Sequence, residues 1–209
     1  MARSKRIAFL AELTQGYEKV LDIGTDHGFV LSCAFEKGYI RSAIASDLRE
    51  KPLNQAKRNL KKYPVSYVLS DGFLAIKEDF DLAIIAGMGA YLINDILDHA
   101  PLGKQTYLLQ ANEKIEILRE YLMNHGFLII DEYIIYDRFY YVILKVVRGE
   151  MILTEDDLLL GPILKTKPDV LPYYARKAHQ IEKIMTHADE KRLETLKKMH
   201  KIYKSVWMW

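Results

Sequence analysis

Asp22-Ile23-Gly24-Thr25-Asp26-His27-Gly28 follows the apolar pair Val20-Leu21. A short strand that enters a turn with spaced glycines, ahead of a helix pattern, lets the backbone pass close to a ligand, because glycine adopts dihedrals that a Cβ forbids. The helix that follows is expected to aim the unpaired N–H groups of its first turn at that ligand. Ile44-Ala45-Ser46-Asp47 reads as a second strand ending in an acid, with Leu48 next to it. An acid about 20 residues after the glycine turn is where such folds keep a carboxylate for ribose hydroxyls. A dinucleotide site would need a third glycine and room for a pyrophosphate, and this turn carries Asp26 and His27 instead. A carboxylate repels pyrophosphate and suits an ammonium or sulfonium. S-adenosylmethionine has both. Ser70-Asp71-Gly72 follows the third strand, where Asp71 would accept a hydrogen bond from the adenine amine. Asp71 also reads as a helix N-cap, and the glycine turn as a purely structural one.

On the substrate side, Ala86-Gly87-Met88-Gly89-Ala90 ends the fourth strand. Ligands of open α/β sheets bind at the carboxyl ends of the strands, and two glycines let a base approach the backbone there. Tyr91 is placed to stack on such a base, or is an ordinary helix residue. The turn lacks the Asn/Asp-Pro-Pro-Tyr sequence typical of enzymes that methylate exocyclic amines, which argues against that chemistry.

These groups need a scaffold of alternating strands and helices. Strand patterns occupy 19–24, 43–47, 65–69, 80–86 and 106–109, and helix patterns 29–38, 50–62, 91–99 and 113–125. The fourth strand is almost wholly apolar, as a central parallel strand should be. Two last strands, 127–132 and 139–147, flank Tyr136-Asp137-Arg138 and suggest an antiparallel hairpin. The expected fold is an α/β, Rossmann-like class I methyltransferase sheet of seven strands whose last pair is that hairpin.

Composition shifts after Arg148-Gly149, so residues 1–149 read as the cofactor domain and 150–209 as a helical domain. Thr154-Glu155-Asp156-Asp157 opens a short helix as a capping box, Gly161-Pro162 breaks it, and Pro168 and Pro172 precede another helix. Ile181, Ile184, Met185, Leu193, Leu196, Met199 and Ile202 recur at helical spacing with a break near 186–190, which predicts a helical hairpin or short coiled coil. Lys191, Arg192, Lys197, Lys198, Lys201 and Lys204 crowd that hairpin, either as a solvated face or as a clamp for RNA phosphates. Arg3, Lys5 and Arg6 form a second basic group ahead of the first helix; Trp207 and Trp209 are expected to close the last helix onto its partner.

The 209 residues are 50% apolar, enough for a sizeable core, and the net charge of +2 neither demands nor excludes nucleic acid. A lone cysteine, Cys33, is taken to rule out a disulfide framework and a four-ligand zinc site, and it reads as a buried small hydrophobe. No metal is expected. Without a signal peptide or membrane-length apolar run, a soluble cytoplasmic protein is expected.

Ser4-Lys5-Arg6-Ile7, Asp22-Ile23-Gly24-Thr25-Asp26-His27, Gly87-Met88-Gly89, Gln110-Ala111-Asn112, and Leu153-Thr154-Glu155 with Gly161-Pro162 occur in this order. Together they resemble the bacterial tRNA (adenine(22)-N1)-methyltransferase family, known as TrmK, over nearly the whole chain. The resemblance implies methyl transfer from S-adenosylmethionine to N1 of an adenosine in the tRNA D-arm. It implies a cofactor site of Asp22, Gly24, Asp26, His27, Asp47, Leu48, Asp71, Gly72 and Gly87. Arg6, Met88, Gly89, Tyr91, Gln110 and Asn112 would face the substrate, and Asp26 is the candidate for stabilising developing charge. N1 carries a lone pair and no proton, so attack needs alignment rather than an obligatory base, and the base must be unpaired and turned outward. Two rivals remain at this point: the same fold acting on a small molecule, and a non-catalytic RNA-binding module.

Overall fold

The computed structural model describes residues 4–206; Arg3, Trp207 and Trp209 lie outside the described residues. A sheet of seven strands has the order β3-β2-β1-β4-β5-β7-β6. Its strands are β1 (Lys19–Ile23), β2 (Ser42–Asp47), β3 (Val65–Leu69), β4 (Leu82–Met88), β5 (Thr106–Ala111), β6 (Phe127–Asp137) and β7 (Phe139–Arg148). The first five pair in parallel, and β7 enters antiparallel between β5 and β6. The helices are α1 (Lys5–Glu12), α2 (Phe29–Glu36), α3 (Glu50–Leu60), α4 (Ala90–Leu97), α5 (Ile115–Asn124), α6 (Glu155–Leu160), α7 (Leu171–Met185) and α8 (Glu190–Ser205).

Successive strand residues point to opposite faces, and the core divides accordingly. Val20, Leu82, Ile84 and Leu108 pack with Leu10, Leu31, Ala34, Ala56 and Leu60 from α1, α2 and α3. Leu21, Ile23, Ala83, Ile85 and Leu109 pack on the other face with α4 and α5. That second core runs on without a break into Leu159, Leu160, Leu164, Tyr174, Ile181, Leu196 and Ile202. The helices after residue 149 are therefore seated on the sheet layer rather than strung beside it.

A buried ion pair anchors this seat. Arg119 Nε donates to Glu132 Oε1 at 2.9 Å, and Arg119 Nη1 donates to the carbonyls of Leu158 and Leu159 at 2.8 and 3.2 Å. Glu132 Oε2 accepts from the amides of Ile163 and Leu164 at 2.9 and 2.7 Å. Gly161 lies between them at φ +94°, where a Cβ would stand 2.6 Å from both Arg119 Nη2 and Glu132 Oε2. The Gly161-Pro162 break thus ends α6 and makes room for the ion pair. The predicted capping box is present, with Asp157 N donating to Thr154 Oγ1 at 3.2 Å and Thr154 N donating to Asp157 Oδ2 at 2.9 Å.

Several boundaries differ from expectation. β4 continues through Gly87 to Met88, because Gly87 at φ +81° takes up a register shift between Ala86 and Met88. β6 runs to Asp137, paired with β7 up to a tight turn at Arg138, φ +64°. Lys5 and Arg6 form the first turn of α1 instead of preceding it, and Pro172 sits in the first turn of α7, where its missing N–H costs nothing. The predicted helical hairpin is α7 and α8, although Ile184 is exposed rather than in its seam. Cys33 is buried. Among the described residues, no helix is long and apolar enough to cross a membrane.

Candidate active site

A cleft of about 450 Å³ opens at the carboxyl ends of β1, β2, β3 and β4. Asp22, Gly24, Asp26, His27, Asp47, Leu48, Asp71, Gly72 and Gly87 all line it. Every residue assigned from sequence to the cofactor thus meets in one place. Thr25, Phe29, Arg49 and Ser70 line it too and were missed. Thr25 had a signal, since it stands one turn-length beyond Asp22.

The loop after β1 does not behave as a phosphate cradle. Gly24 N and Thr25 N both donate to Ser46 O at 2.9 Å, Gly28 N donates to Thr25 O at 2.8 Å, and Asp26 N donates to Asp47 Oδ2 at 3.3 Å. These four loop amides are engaged by neighbouring acceptors, whereas the unpaired amides expected from the sequence belong to the first turn of α2, whose first intrahelical bond runs from Ser32 N to Gly28 O. The cleft instead offers carboxylates. Asp22 is 6% exposed, and burial raises its carboxyl pKa from 3.8 to about 6. The Thr25 hydroxyl, donating at 2.8 Å, opposes that rise, and the negative charge of Asp47 adds to it. Asp47, also buried, accepts the amide of Arg49 on Oδ1 at 3.0 Å. Ser70 shapes the third strand's turn by donating to Gly72 O at 2.9 Å and accepting from Ala75 N at 3.0 Å, while the exposed Asp71 faces the cleft.

Glycine is needed at two positions in this site. At Gly24, φ +74°, a Cβ would lie 2.2 Å from Met88 Cε. At Gly28, φ +69°, it would lie 2.6 Å from Leu60 Cδ1, so this glycine serves the packing of α2 on α3. Asp26 takes φ +49° and holds His27 Nδ1 at 2.7 Å, and His27 stacks on Phe29 with ring centroids 5.2 Å apart.

Three of the six residues assigned to the substrate, Arg6, Gln110 and Asn112, form a relay across one rim. Arg6 Nη1 donates to Gln110 Oε1 at 2.6 Å, Gln110 Nε2 donates to Asn112 Oδ1 at 3.1 Å, and Asn112 Nδ2 donates to Gly87 O at 2.8 Å. Asn112 N also donates to Met88 O at 2.8 Å, and the Arg6 guanidinium lies 5.2 Å from the Tyr141 ring centroid. Asp137 accepts from Ser4 Oγ and from Arg6 N, tying α1 to the β6–β7 turn. Arg6 and Met88 line the cleft. Gln110 is 0% exposed, so its expected contact with substrate is corrected: it positions Arg6 and Asn112. Gly89 precedes α4, and Tyr91 is 57% exposed with Lys114 Nζ 4.8 Å from its ring centroid. Neither lines the cleft itself.

The model of the family described as TrmK, tRNA (adenine(22)-N(1))-methyltransferase, matches residues 20–206. The Bacillus subtilis tRNA (adenine(22)-N(1))-methyltransferase is 33% identical over 140 residues, and the match spans 63% of this chain and 59% of that protein. The crystal structure of the B. subtilis m1A22 tRNA methyltransferase TrmK is 27% identical, with a TM-score of 0.85 over 98% of both chains. A Streptococcus pneumoniae structure in complex with S-adenosyl-L-methionine is 29% identical, with a TM-score of 0.87 over 98% of this chain and 99% of that one. The fold, the glycine-and-carboxylate cleft and the family match over residues 20–206 agree: this chain belongs to the TrmK family, tRNA (adenine(22)-N(1))-methyltransferase.

Proposed function

We infer that this protein transfers a methyl group from S-adenosylmethionine to N1 of adenosine 22 in tRNA. The observation that carries the reading is the cleft in which buried Asp22 and Asp47 converge while the loop amides are already taken. That donor set favours a cation with ribose hydroxyls over a phosphate. When bound, the cofactor supplies an electrophilic methyl group on a positively charged sulfur.

The protein's own groups have separable roles. Asp47 is held by the amides of Asp26 and Arg49 and keeps lone pairs for ribose hydroxyls. Asp22 complements positive charge, and Asp71 offers an acceptor to the adenine amine. Asp26, on the cleft wall beside His27, is assigned to the cationic charge that develops on the substrate ring as N1 is alkylated. Arg6, fixed by Gln110 and Tyr141, guides the extruded base toward Gly87. No side chain has to remove a proton, since the attacking nitrogen bears none. We assign residues 1–149 to methyl transfer and 150–209 to holding the tRNA, with the reaction in the cytoplasm, where its substrate resides.

The test is incubation of unmodified tRNA with methyl-labelled cofactor and the full chain, followed by nucleoside mapping. The expected product is 1-methyladenosine at position 22, absent from tRNA with guanosine there. Label at another nucleoside, or only in small molecules, refutes the assignment.

A further inference from the structure

A second cleft, of about 420 Å³, lies between the start of α5, the start of β7 and α7. It shares a wall with the first. Asn112 lines it while binding Gly87 O, and Tyr141 lines it while its ring lies beneath the Arg6 guanidinium. Both clefts therefore open along the carboxyl edge of the parallel strands, on either side of the Arg6–Gln110–Asn112 relay.

The lining suits a nucleotide. Lys114, Arg176 and Lys177 bring three positive charges against one carboxylate, Glu113. Two of those cations lie beside rings: Lys114 Nζ is 4.8 Å from the Tyr91 centroid, and Lys177 Nζ is 5.9 Å from that of Tyr173. Burial lowers the Lys177 pKa, with nearby Arg119 acting the same way and Glu116 opposing. Tyr140 supplies a further aromatic surface, its ring 5.7 Å from Tyr173 and 4.9 Å from Tyr136. Cations beside aromatic faces form the combination that holds phosphates and stacked bases of single-stranded RNA. The volume falls in the range of small-ligand pockets, roughly 300–1,000 Å³.

We propose that this second cleft holds a nucleotide flanking the target adenosine, stacking its base on Tyr140 and pairing its phosphate with Arg176 and Lys177. The proposal rests on the tRNA-methylating function. It makes the junction of the sheet and the C-terminal helices part of substrate recognition. The flanking nucleotide is gripped on one side of the relay while the target base enters the other.

The test uses the full chain with Arg176→Gln, Lys177→Met and both together. Each single change is expected to weaken tRNA binding about tenfold and to lower the slope of log affinity against log salt by about 0.7 for each phosphate no longer neutralised. Cofactor affinity is expected to stay at the parent value in each variant, and the thermal midpoint to stay at the parent value in Arg176→Gln, whose side chain is exposed so that its replacement leaves the packing intact. Lys191→Gln with Lys197→Gln, on the exposed side of α8, removes the same charge elsewhere and is expected to weaken binding less. A D-arm RNA with 2-aminopurine on the 5′ or the 3′ side of the target should show quenching at one position, relieved by Tyr140→Leu. Parent-like tRNA affinity in the double variant, or no quenching at either position, overturns the proposal. A parent protein that fails to methylate tRNA overturns the functional reading, and the second cleft's role with it.

Discussion

Replacing Asp22 by Asn separates what the buried carboxylate does for the ligand from what it costs the fold. Burial holds the Asp22 pKa at about 6 against an ordinary 3.8. The folded protein therefore binds more protons than the unfolded chain between about pH 4 and 6, and its stability must fall as pH rises through that window. Above the window the ionised carboxylate costs about 3 kcal/mol. In Asp22→Asn the carbonyl still accepts from the Thr25 hydroxyl, so the gain at pH 8 should approach that figure. For a chain of this length it corresponds to a rise in thermal midpoint of about 6–12 °C. At pH 4 the two proteins should unfold alike. Cofactor binding should show the opposite trend: in the parent, affinity rises from pH 5 to 7 as Asp22 ionises, and the variant loses both the pH dependence and most of the affinity. Urea unfolding from pH 4 to 8, with calorimetric titration of the cofactor, reads both. A variant that is less stable than the parent at pH 8, or that keeps the parent's pH profile, refutes the assignment of the burial cost to Asp22.

Arg119→Leu leaves Glu132 buried without its cation and should cost about 3–5 kcal/mol in urea unfolding, with the C-terminal helices losing amide protection first. Gly28→Ala should lower stability by about 1–2 kcal/mol through its positive φ and the clash with Leu60, read as a drop in thermal midpoint. Arg6→Ala should lower kcat for tRNA methylation about 100-fold by releasing the relay while cofactor affinity is unchanged; an unaffected methyl-transfer rate in single-turnover kinetics would refute that role.

The glycine-and-acid turn was legible because its parts are close in sequence: Asp22, Gly24, Asp26 and His27 fall within six residues, and the acids after β2 and β3 end apolar runs whose period is plain. The same local logic revealed the capping box of α6. The role of Gln110 was not legible. Nothing in Gln110-Ala111-Asn112 says that its partner is Arg6, 104 positions away, or that it would be fully buried. Residues 150–209 read as a separable helical unit because their composition shifts, yet Glu132 takes the amides of Ile163 and Leu164. Truncation at residue 149 would therefore leave Glu132 with Arg119 but without its two amide donors, and strip the second core of its cover.

The succession of strands and helices, the cleft's carboxylates and the nature of their ligand follow from the chain itself, since apolar period, glycine conformation and charge type are properties of neighbouring residues. Which amides are already engaged, which polar side chains only position others, and the second cleft beside α7 were decided by the fold. Each depends on groups brought together from distant parts of the chain, and only packing determines whether a donor there meets a protein acceptor or stays open to a ligand.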